Sequence, residues 1–449
     1  MSIEENILDC QMTCEEYEKK LNNLKNKVDF LYRLRDHYFE NHPIEDAIRK
    51  NSDVKKELEN TLKLFEELKN CANQNRAKFY YLKGRALNVD SEYSKEAEEI
   101  LSKAIKLDPK LVEAWNELGE CYWKNDNLKE AKNCFSGALN HKRNKISLRN
   151  LSMLARQGQA SNKEQKIKSI EEGVTLAKEA VQLDPQDGLS WAVLGNAHLS
   201  SFFVISQNPK TLKQCISAYA QAEKDLIAKN TPDLHYNKAI TLKYEEEFKL
   251  ALDSFNQALL LDPTWDAPKI KEQQLVKYLD NVSELVNTTG KMKGKKRLHQ
   301  ILHSIDSKQL GPYTGGSYTS TSGQSIKLTE VSLSELKSGI NLEKLVLGKV
   351  VCSVHNDDSV PFTFCLVDKK GTCISVMVYN LAEGKGVIIG DSVAIPEPFV
   401  TKVKFSYQGK DYNFCSIRVE TPLVLVVNGK KVNRDQQASV QMSIFKKLE

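Results

Sequence analysis

The chain has 449 residues, enough for two or more domains, and 41% of them are hydrophobic while 27% are charged. Its 64 basic and 59 acidic side chains leave a formal net charge of +5. This near balance means that overall charge alone does not indicate a nucleic-acid-binding protein. We expect no secretory signal, no membrane-spanning segment and no membrane partner, and the ten cysteines, which never form C-x2-C pairs, indicate a reduced intracellular protein without a metal site.

Residues 1–75 are predicted to form N-terminal helices. Apolar residues recur at helical spacing through 21–67, most clearly in the stretch VDFLYRLRDHYF that begins at Val28. A second helical run, 54–68, can pair with the first. We therefore interpret this part as a divergent first copy of the repeat that follows.

Residues 76–266 are predicted to be tetratricopeptide repeats (TPR), each a helix–turn–helix of about 34 residues. One unit carries the whole signature W-x2-L-G-x2-Y-x8-A-x3-F-x2-A, in Trp115, Leu118, Gly119, Tyr122, Ala131, Phe135 and Ala138. Small residues are required where the two helices of a unit come closest, and large residues fill the space beside them. We therefore expect Gly119 and Ala131 at the crossing point and the large residues in the core.

The same sequence pattern for the end of a helix occurs three times, as AIKLDP at 104–109, AVQLDP at 180–185 and ALLLDP at 258–263. Asp-Pro ends a helix because proline cannot donate to the helical ladder and pushes the residue before it out of the α region. The alanine of this ending recurs in phase as Ala104, Ala138, Ala180, Ala222 and Ala258. The second and third steps are much longer than one period, which predicts insertions at 158–165 and 200–210.

Residues 267–310 are predicted to contain a capping helix, at 267–286, and a basic loop. A terminal helix with a polar outer face keeps a helical solenoid soluble. The loop, 287–297, holds Lys291, Lys293, Lys295, Lys296 and Arg297. Three interpretations stay open for it: a solvated loop, a contact to RNA phosphates, and a nuclear-import signal.

Residues 311–340 are predicted to be a linker and lead-in, because 311–325 is rich in Gly, Ser and Thr. From 341 to 432, short strands separated by tight turns predict a five-stranded Greek-key barrel, the OB fold. The strands are expected at 346–354, 362–367, 372–379, 392–395, 403–407, 412–419 and 423–427. The tail, 433–449, is polar. Phe362 and Phe364 alternate along one strand; they could stack bases, but a place in the barrel core is the favoured interpretation.

The fold class is therefore multidomain, an all-α TPR solenoid followed by a small all-β OB-fold barrel. No enzyme motif is found: the chain lacks H-E-x-x-H and G-x-S-x-G, and 290–295 is one residue short of a phosphate-binding loop. We expect a non-enzymatic binding protein that needs no cofactor.

Binding is expected in the concave groove of the solenoid, which the first helix of each pair lines and which can hold an extended peptide. Asp233 and Asp266 fall in the first turns of two successive groove helices, where they either favour the helix dipole or form an acidic lip for an ammonium group or an arginine. Arg156, in the unit with the weakest signature, either faces the groove or is merely solvated. Lys106 ends a second helix and complements its dipole.

With these features in place, the chain resembles the tetratricopeptide repeat protein 5 family, also called Strap, over nearly its whole length. The specific matches are FSGAL (135–139), SAYAQAEK (217–224), PDLH (232–235), VPFTF (360–364), VMVYN (376–380), GDSVAIPEP (390–398), VETPL (419–423) and LVVNG (425–429). The resemblance implies a TPR array with a C-terminal OB fold. It also implies two roles, in tubulin autoregulation and in stress-responsive transcription.

In the first role, the resemblance implies that the protein binds the nascent N-terminus of α- or β-tubulin, Met-Arg-Glu followed by Ile or Cys, at the ribosome exit. It then recruits an mRNA-decay adaptor, and the translated mRNA is degraded. Arg156, Asp233 and Asp266 match the family's peptide-binding positions; the family usually has glutamate where Asp266 stands, so this chain presents a shorter side chain. Lys106, Lys293 and Lys295 match positions that contact the ribosome, meaning rRNA and exit-tunnel proteins.

The alternative role is a nuclear coactivator scaffold that joins a histone acetyltransferase with its cofactors and touches chromatin or DNA through the OB domain. The two roles together imply both a cytoplasmic and a nuclear location.

Overall fold

The computed structural model describes residues 13–68, 75–158, 160–291, 295–319, 325–358 and 360–438. It divides into two compact units, Met1–Lys238 with Gln257–Trp265, and Ala239–Asn256 with Asp266–Glu449. The helices are α1 Cys14–Asp36, α2 Tyr38–Asn41, α3 Lys50–Leu68, α4 Arg76–Leu87, α5 Lys95–Leu107, α6 Val112–Lys124, α7 Leu128–His141, α8 Lys145–Gln157, α9 Lys163–Leu183, α10 Gly188–Ser201, α11 Pro209–Ala222, α12 Leu226–Lys229, α13 Pro232–Tyr244, α14 Phe248–Leu261, α15 Asp266–Asn287 and α16 Lys295–His303.

The predicted small residues lie at the helix crossings. A Cβ added to Gly119 in α6 would stand 2.7 Å from the ring of Phe135 in α7, and Ala131 and Phe135 are both fully buried. The same geometry recurs in α10 and α11, where a Cβ on Gly195 would lie 2.5 Å from the Tyr219 ring. In both of these pairs an aromatic ring therefore packs directly on a glycine backbone.

The three Leu-Asp-Pro phrases end helices, as predicted, and the structure explains the aspartate. The helices α5, α9 and α14 all stop at the leucine. Each following aspartate accepts a hydrogen bond from the backbone N–H two residues on: Lys110 N to Asp108 at 3.0 Å, Gln186 N to Asp184 at 3.1 Å and Thr264 N to Asp262 at 3.0 Å. The turn is thus stabilised by the side chain while the proline blocks further helix.

Of the two predicted insertions, the second changes the local helix type. After α10 the chain forms a π-helix, Phe202–Ser206, and Gln207 then takes a left-handed conformation before α11. The apolar stretch Gly188–Ile205 is long and hydrophobic enough to cross a membrane by length and composition alone, contrary to our expectation that no run is. Most of it is buried among other helices, and buried core helices pass the same test.

The β-barrel has the strand order expected of an OB fold. Its strands are β1 Ser317–Thr319, β2 Ser325–Lys327, β3 Thr329–Glu330, β4 Gly339–Ile340, β5 Lys344–Val354, β6 Phe362–Val367, β7 Cys373–Val378, β8 Ser392–Pro396, β9 Phe399–Tyr407, β10 Lys410–Val419, β11 Val426–Val427 and β12 Lys430–Lys431. Antiparallel β5, β6 and β7 continue into β10, which runs parallel to β7 and antiparallel to β9; β8 returns to pair with β5.

The barrel core confirms the favoured interpretation of the two phenylalanines. Phe364 is fully buried in a cluster with Val350, Val376, Val393 and Ile417, and Phe362 packs against the same cluster. Phe364 is therefore not available to stack a base.

The segment predicted as a linker is packed in the part that the structure describes. A 3₁₀-helix, Ser307–Tyr313, precedes β1, and β1 pairs with β2. Leu310 and Tyr313 are buried in an apolar cluster with strand residues of the barrel, and the Tyr313 hydroxyl donates to Val424 O at 2.9 Å. Tyr313 lies inside the predicted linker and Leu310 directly before it, and the Gly- and Ser-rich composition did not reveal either anchor.

The predicted capping helix, α15, packs on β5, β7 and β10 of the barrel. Leu275, Tyr278, Leu279 and Val282 are buried, and the hydroxyls of Tyr278 and Thr363 share a hydrogen bond of 2.8 Å. The polar outer face expected for this helix is present, since Lys269, Gln273, Lys277 and Glu284 are exposed. On the side that meets the barrel, Tyr407 donates to Glu272 and Tyr412 donates to Asp280.

Candidate peptide-binding site

Arg156 lies in the last turn of α8, beside the backbone of α9. Its Nε donates to Ser152 O at 3.1 Å, and the Ser152 hydroxyl donates to Gly173 O at 2.7 Å. A Cβ on Gly173 would lie 3.1 Å from Arg156 Cγ. The glycine in α9 therefore leaves the space in which the arginine stem lies.

The Arg156 guanidinium has no acidic partner within ion-pair distance among the residues that the structure describes. Burial lowers the pKa of Arg156 to about 10, and only the Tyr219 phenol opposes that shift. Lys166 adds a second positive group, because its Nζ donates to Arg156 O at 2.7 Å and to Gly158 O at 3.2 Å. A half-buried cation without a counter-charge is stabilised by any carboxylate that reaches it.

Sequence reasoning missed Tyr219, whose phenol lies near Arg156, and Asn196, which Tyr219 contacts. The Tyr219 hydroxyl donates to Asn196 Oδ1 at 2.7 Å, and both side chains belong to the α10–α11 pair. The sequence could have indicated that Asn196 lies on the first helix of a repeat, since it directly follows the Trp191-Leu194-Gly195 signature. For Tyr219 the sequence gives only its aromatic character, which predicts core packing.

Asp233 lies in the first turn of α13, as predicted, with an exposed side chain. Loss of surrounding water raises the pKa of its carboxyl, and the charge of Asp262 raises it further. Protein atoms around Asp233 therefore remove part of the water from a carboxylate whose residue is still exposed. In the described part of the chain no basic side chain forms an ion pair with Asp233, so a cationic ligand would relieve the repulsion.

Asp266 is the first residue of α15 and is exposed. It belongs to the second compact unit, whereas Arg156 and Asp233 belong to the first. No ion pair joins Arg156 to Asp233 among the described residues. Within the described ranges, Arg156 and Asp233 are therefore separate charges without an ion-pair partner, and Asp266 stands at a helix N-terminus.

Of the three predicted ribosome-contacting lysines, the structure describes the side chain of one. Lys106 is exposed in the last turn of α5, and Lys103 is exposed one turn earlier on the same helix. Lys293 lies outside the described residues, and Lys295 opens α16. Lys296 and Arg297 follow it with exposed side chains, so the described start of α16 is basic.

Comparison with known proteins identifies both parts of the chain. A sequence model of the Tetratricopeptide repeat protein 5 OB fold domain matches residues 327–441, and a tetratricopeptide repeat model matches 94–153. The chain is 50% identical to Tetratricopeptide repeat protein 5 of Homo sapiens over 94% of this chain and 96% of that protein. It is 51% identical to the Mus musculus protein of that name over 96% of this chain and 98% of that one.

Among solved structures, YrrB, a TPR protein described with an unusual peptide-binding site, superposes with a TM-score of 0.32 at 19% identity. The superposition covers 46% of this chain and 99% of YrrB and is too loose to carry an argument. The full-length relatives and the two domain matches support an adaptor or scaffold that binds protein partners, and they indicate no catalytic family. At this identity and coverage, the chain belongs to the tetratricopeptide repeat protein 5 family.

Proposed function

We propose that this protein is an adaptor that recognises the nascent Met-Arg-Glu terminus of tubulin at the ribosome exit and triggers decay of the translated mRNA. The observation that supports the proposal most directly is Arg156, a half-buried guanidinium whose pKa is lowered by burial and which lacks an acidic partner in the described structure. Such a group is matched by the glutamate of the motif.

The other two groove residues supply the opposite charge. Asp233, and in our proposal Asp266, receive the arginine or the terminal ammonium of the peptide. Asp233 supports this role because its carboxyl is partly desolvated and lies near Asp262 rather than near a cation. A motif with one acidic and two basic groups would thus meet one basic and two acidic side chains.

The basic residues Lys106, Lys293 and Lys295 are proposed to contact the ribosome, through rRNA phosphates and exit-tunnel proteins. A tetrapeptide contact is weak, and so is a contact through a few lysines. Joined in one chain they reinforce each other, because the second contact becomes intramolecular once the first has formed. Only ribosomes that display tubulin would hold the protein firmly, and an mRNA-decay adaptor would then be recruited. We also propose that the protein occurs in both cytoplasm and nucleus.

Peptide binding tests the groove assignment. Arg156→Ala should weaken binding of a Met-Arg-Glu-Ile peptide by about tenfold or more, as expected for a charged hydrogen bond of roughly 1.5–3 kcal/mol. It should leave binding of Met-Arg-Gln-Ile nearly unchanged, because that peptide already lacks the carboxylate. Arg143→Ala is the matched control, since Arg143 is exposed and pairs with Glu179. Equal loss for both peptides would contradict a glutamate–Arg156 contact.

Capture of ribosomes that translate tubulin tests the function itself. Arg156→Ala and Asp233→Ala should both reduce capture, while Arg143→Ala should not. Undiminished capture by both groove variants would sink the proposal and favour the coactivator scaffold with a histone acetyltransferase complex.

The ribosome contact has its own test. Lys106→Glu and Lys293→Glu should weaken capture and flatten its salt dependence, because each phosphate contact releases counterions. Lys103→Glu is the matched control for Lys106, since both side chains are exposed on α5. An unchanged salt profile in the Lys106 and Lys293 variants would argue against phosphate contacts.

A further inference from the structure

Three cysteines lie together on the outer face of the barrel. Cys352 in β5 is directly opposite Cys365 in β6 in the antiparallel register. Cys365 is opposite Ser375 in β7, so Cys373 is its diagonal neighbour on the same face. The neighbours Phe364, Ile374 and Val376 point into the core, which places Cys365 and Cys373 on the other side of the sheet.

The thiols also interact with one another. The neighbouring thiols of Cys352 and Cys373 raise the pKa of Cys365, and burial raises it further. The interaction with Cys365 lowers the pKa of Cys352. Of these two opposed thiols, Cys352 is thus the more readily ionised, and the thiolate is the form that attacks a disulfide.

Access to the three thiols is unequal. Cys365 is fully buried and Cys352 is 7% exposed, whereas Cys373 is half-buried. Gly290 covers Cys352: a Cβ on Gly290 would lie 3.2 Å from Cys352 Sγ. Thr289, Gly290 and Lys291 all have positive φ there, with the Gly290 N–H bonded to Leu285 O at 2.7 Å. A small oxidant can therefore meet Cys373 first.

We propose that Cys352, Cys365 and Cys373 form a redox-active thiol cluster that a hydroperoxide oxidises to a cross-strand disulfide between Cys352 and Cys365. The Cys373 thiolate attacks the peroxide, the O–O bond breaks, and a sulfenic acid and an alcohol or water result. The Cys365 thiol attacks that sulfur, an S–S bond forms, and water leaves. Two thiols supply the two electrons that reduce one peroxide.

The final pairing follows from strand geometry. Directly opposite residues in an antiparallel pair have Cα atoms about 4.5–5.5 Å apart, within the range of about 4.4–6.8 Å that a disulfide needs. Diagonal neighbours have Cα atoms about 7–8 Å apart, beyond that range, so a Cys365–Cys373 bond forms only with a local shift of the two strands and is strained and easily attacked. Cys352 then attacks Cys365 and releases Cys373 as a thiol. Cys373 thus carries oxidation to a buried pair and is regenerated.

The test is a peroxide titration of the folded full chain with hydrogen peroxide, followed by differential alkylation and peptide mapping. We expect one disulfide, Cys352–Cys365, with Cys373 recovered as a thiol after longer times. Cys121 and Cys134 are an internal control: both are buried, burial raises the pKa of Cys121 to about 11 and of Cys134 to about 12, and they should stay reduced. Reduced Cys365 after complete oxidation of the exposed Cys415 would overturn the proposal.

Variants separate the steps. Cys373→Ser replaces a half-buried residue, so the protein should fold. In this variant the Cys352–Cys365 disulfide should form severalfold more slowly or slower still. An unchanged rate would overturn the proposal that Cys373 meets the oxidant first. Cys352→Ser should trap the Cys365–Cys373 bond, and its absence would overturn the exchange step. Cys415→Ser, on β10 of the same barrel, should change nothing.

Discussion

At the residue scale, Gly119 is the clearest case of a position where only glycine fits. Gly119→Ala should destabilise the protein by about 1–2 kcal/mol, because the new Cβ would overlap the buried Phe135 ring and the gain in helix propensity offsets only part of that cost. Gly158→Ala is the control, since its nearest atoms lie 3.6 Å from the added Cβ. Denaturant unfolding checks both, and equal free energies of unfolding would contradict the close packing.

His198, also a single residue, predicts a pH dependence. Burial lowers the pKa of His198 to about 4, with Lys178 adding to the effect. Between about pH 6.5 and 4 the unfolded chain binds a proton that the folded chain does not, so this group lowers the free energy of unfolding as pH falls through that window. The loss approaches about 3 kcal/mol by pH 4.

His198→Gln removes the titration. Urea unfolding from pH 7 to 4.5 should therefore show a flatter pH dependence for this variant than for the parent protein. Parallel curves would mean that His198 titrates near its usual pKa in the folded state.

At the scale of elements, a buried ion pair joins strand β10 to the turn that follows helix α13. Arg418 bonds to Glu246 Oε1 at 3.1 Å and to Tyr244 O at 2.9 Å, and its guanidinium lies 4.2 Å from the Tyr379 ring centre. Glu246 also accepts from the Tyr379 hydroxyl at 3.1 Å. The side chains of Arg418 and Glu246 are 11% and 1% exposed, so neither charge has water as an alternative partner.

Arg418→Met should therefore cost about 3–5 kcal/mol of stability, because it leaves the Glu246 carboxylate buried without a counter-charge. The double variant Arg418→Met with Glu246→Gln should recover part of that loss. Lys410→Met is the control, since the Lys410–Asp280 pair is solvent-exposed and worth less than about 1 kcal/mol. Thermal and urea unfolding measure all three; an additive double variant would exclude coupling between the two charges.

At the scale of the whole molecule, the position of α15 predicts how the chain tolerates truncation. A fragment ending at residue 287 removes the barrel and exposes Tyr278, which is 2% exposed in the full chain, together with its buried apolar neighbours. We expect such a fragment to self-associate and to bind an apolar dye. Size-exclusion chromatography and dye fluorescence check this.

Tyr278→Lys gives opposite outcomes in the two contexts. In the fragment it should reduce self-association, because it places a charge on the newly exposed face. In the full chain it should destabilise the protein, since Tyr278 is buried and hydrogen-bonded to Thr363. A fragment that stays monomeric without the substitution would contradict the prediction.

The sequence by itself determined the two fold classes, the helix stops and the small residues at helix crossings. These depend on rules that act within one repeat or one strand: proline ends a helix, glycine permits close approach, and alternation marks a strand. It also named Arg156 and Asp233, but it left open whether they are solvated.

Only the tertiary structure decided that these two charges lack counter-charges in the described chain, that α15 packs on the barrel, and that Arg418 meets Glu246 across 172 positions of sequence. It also brought Cys352, Cys365 and Cys373 onto one face of three adjacent strands. The physical reason is that burial, register and pairing depend on contacts between distant segments, and local pattern does not encode which distant segment will supply the partner.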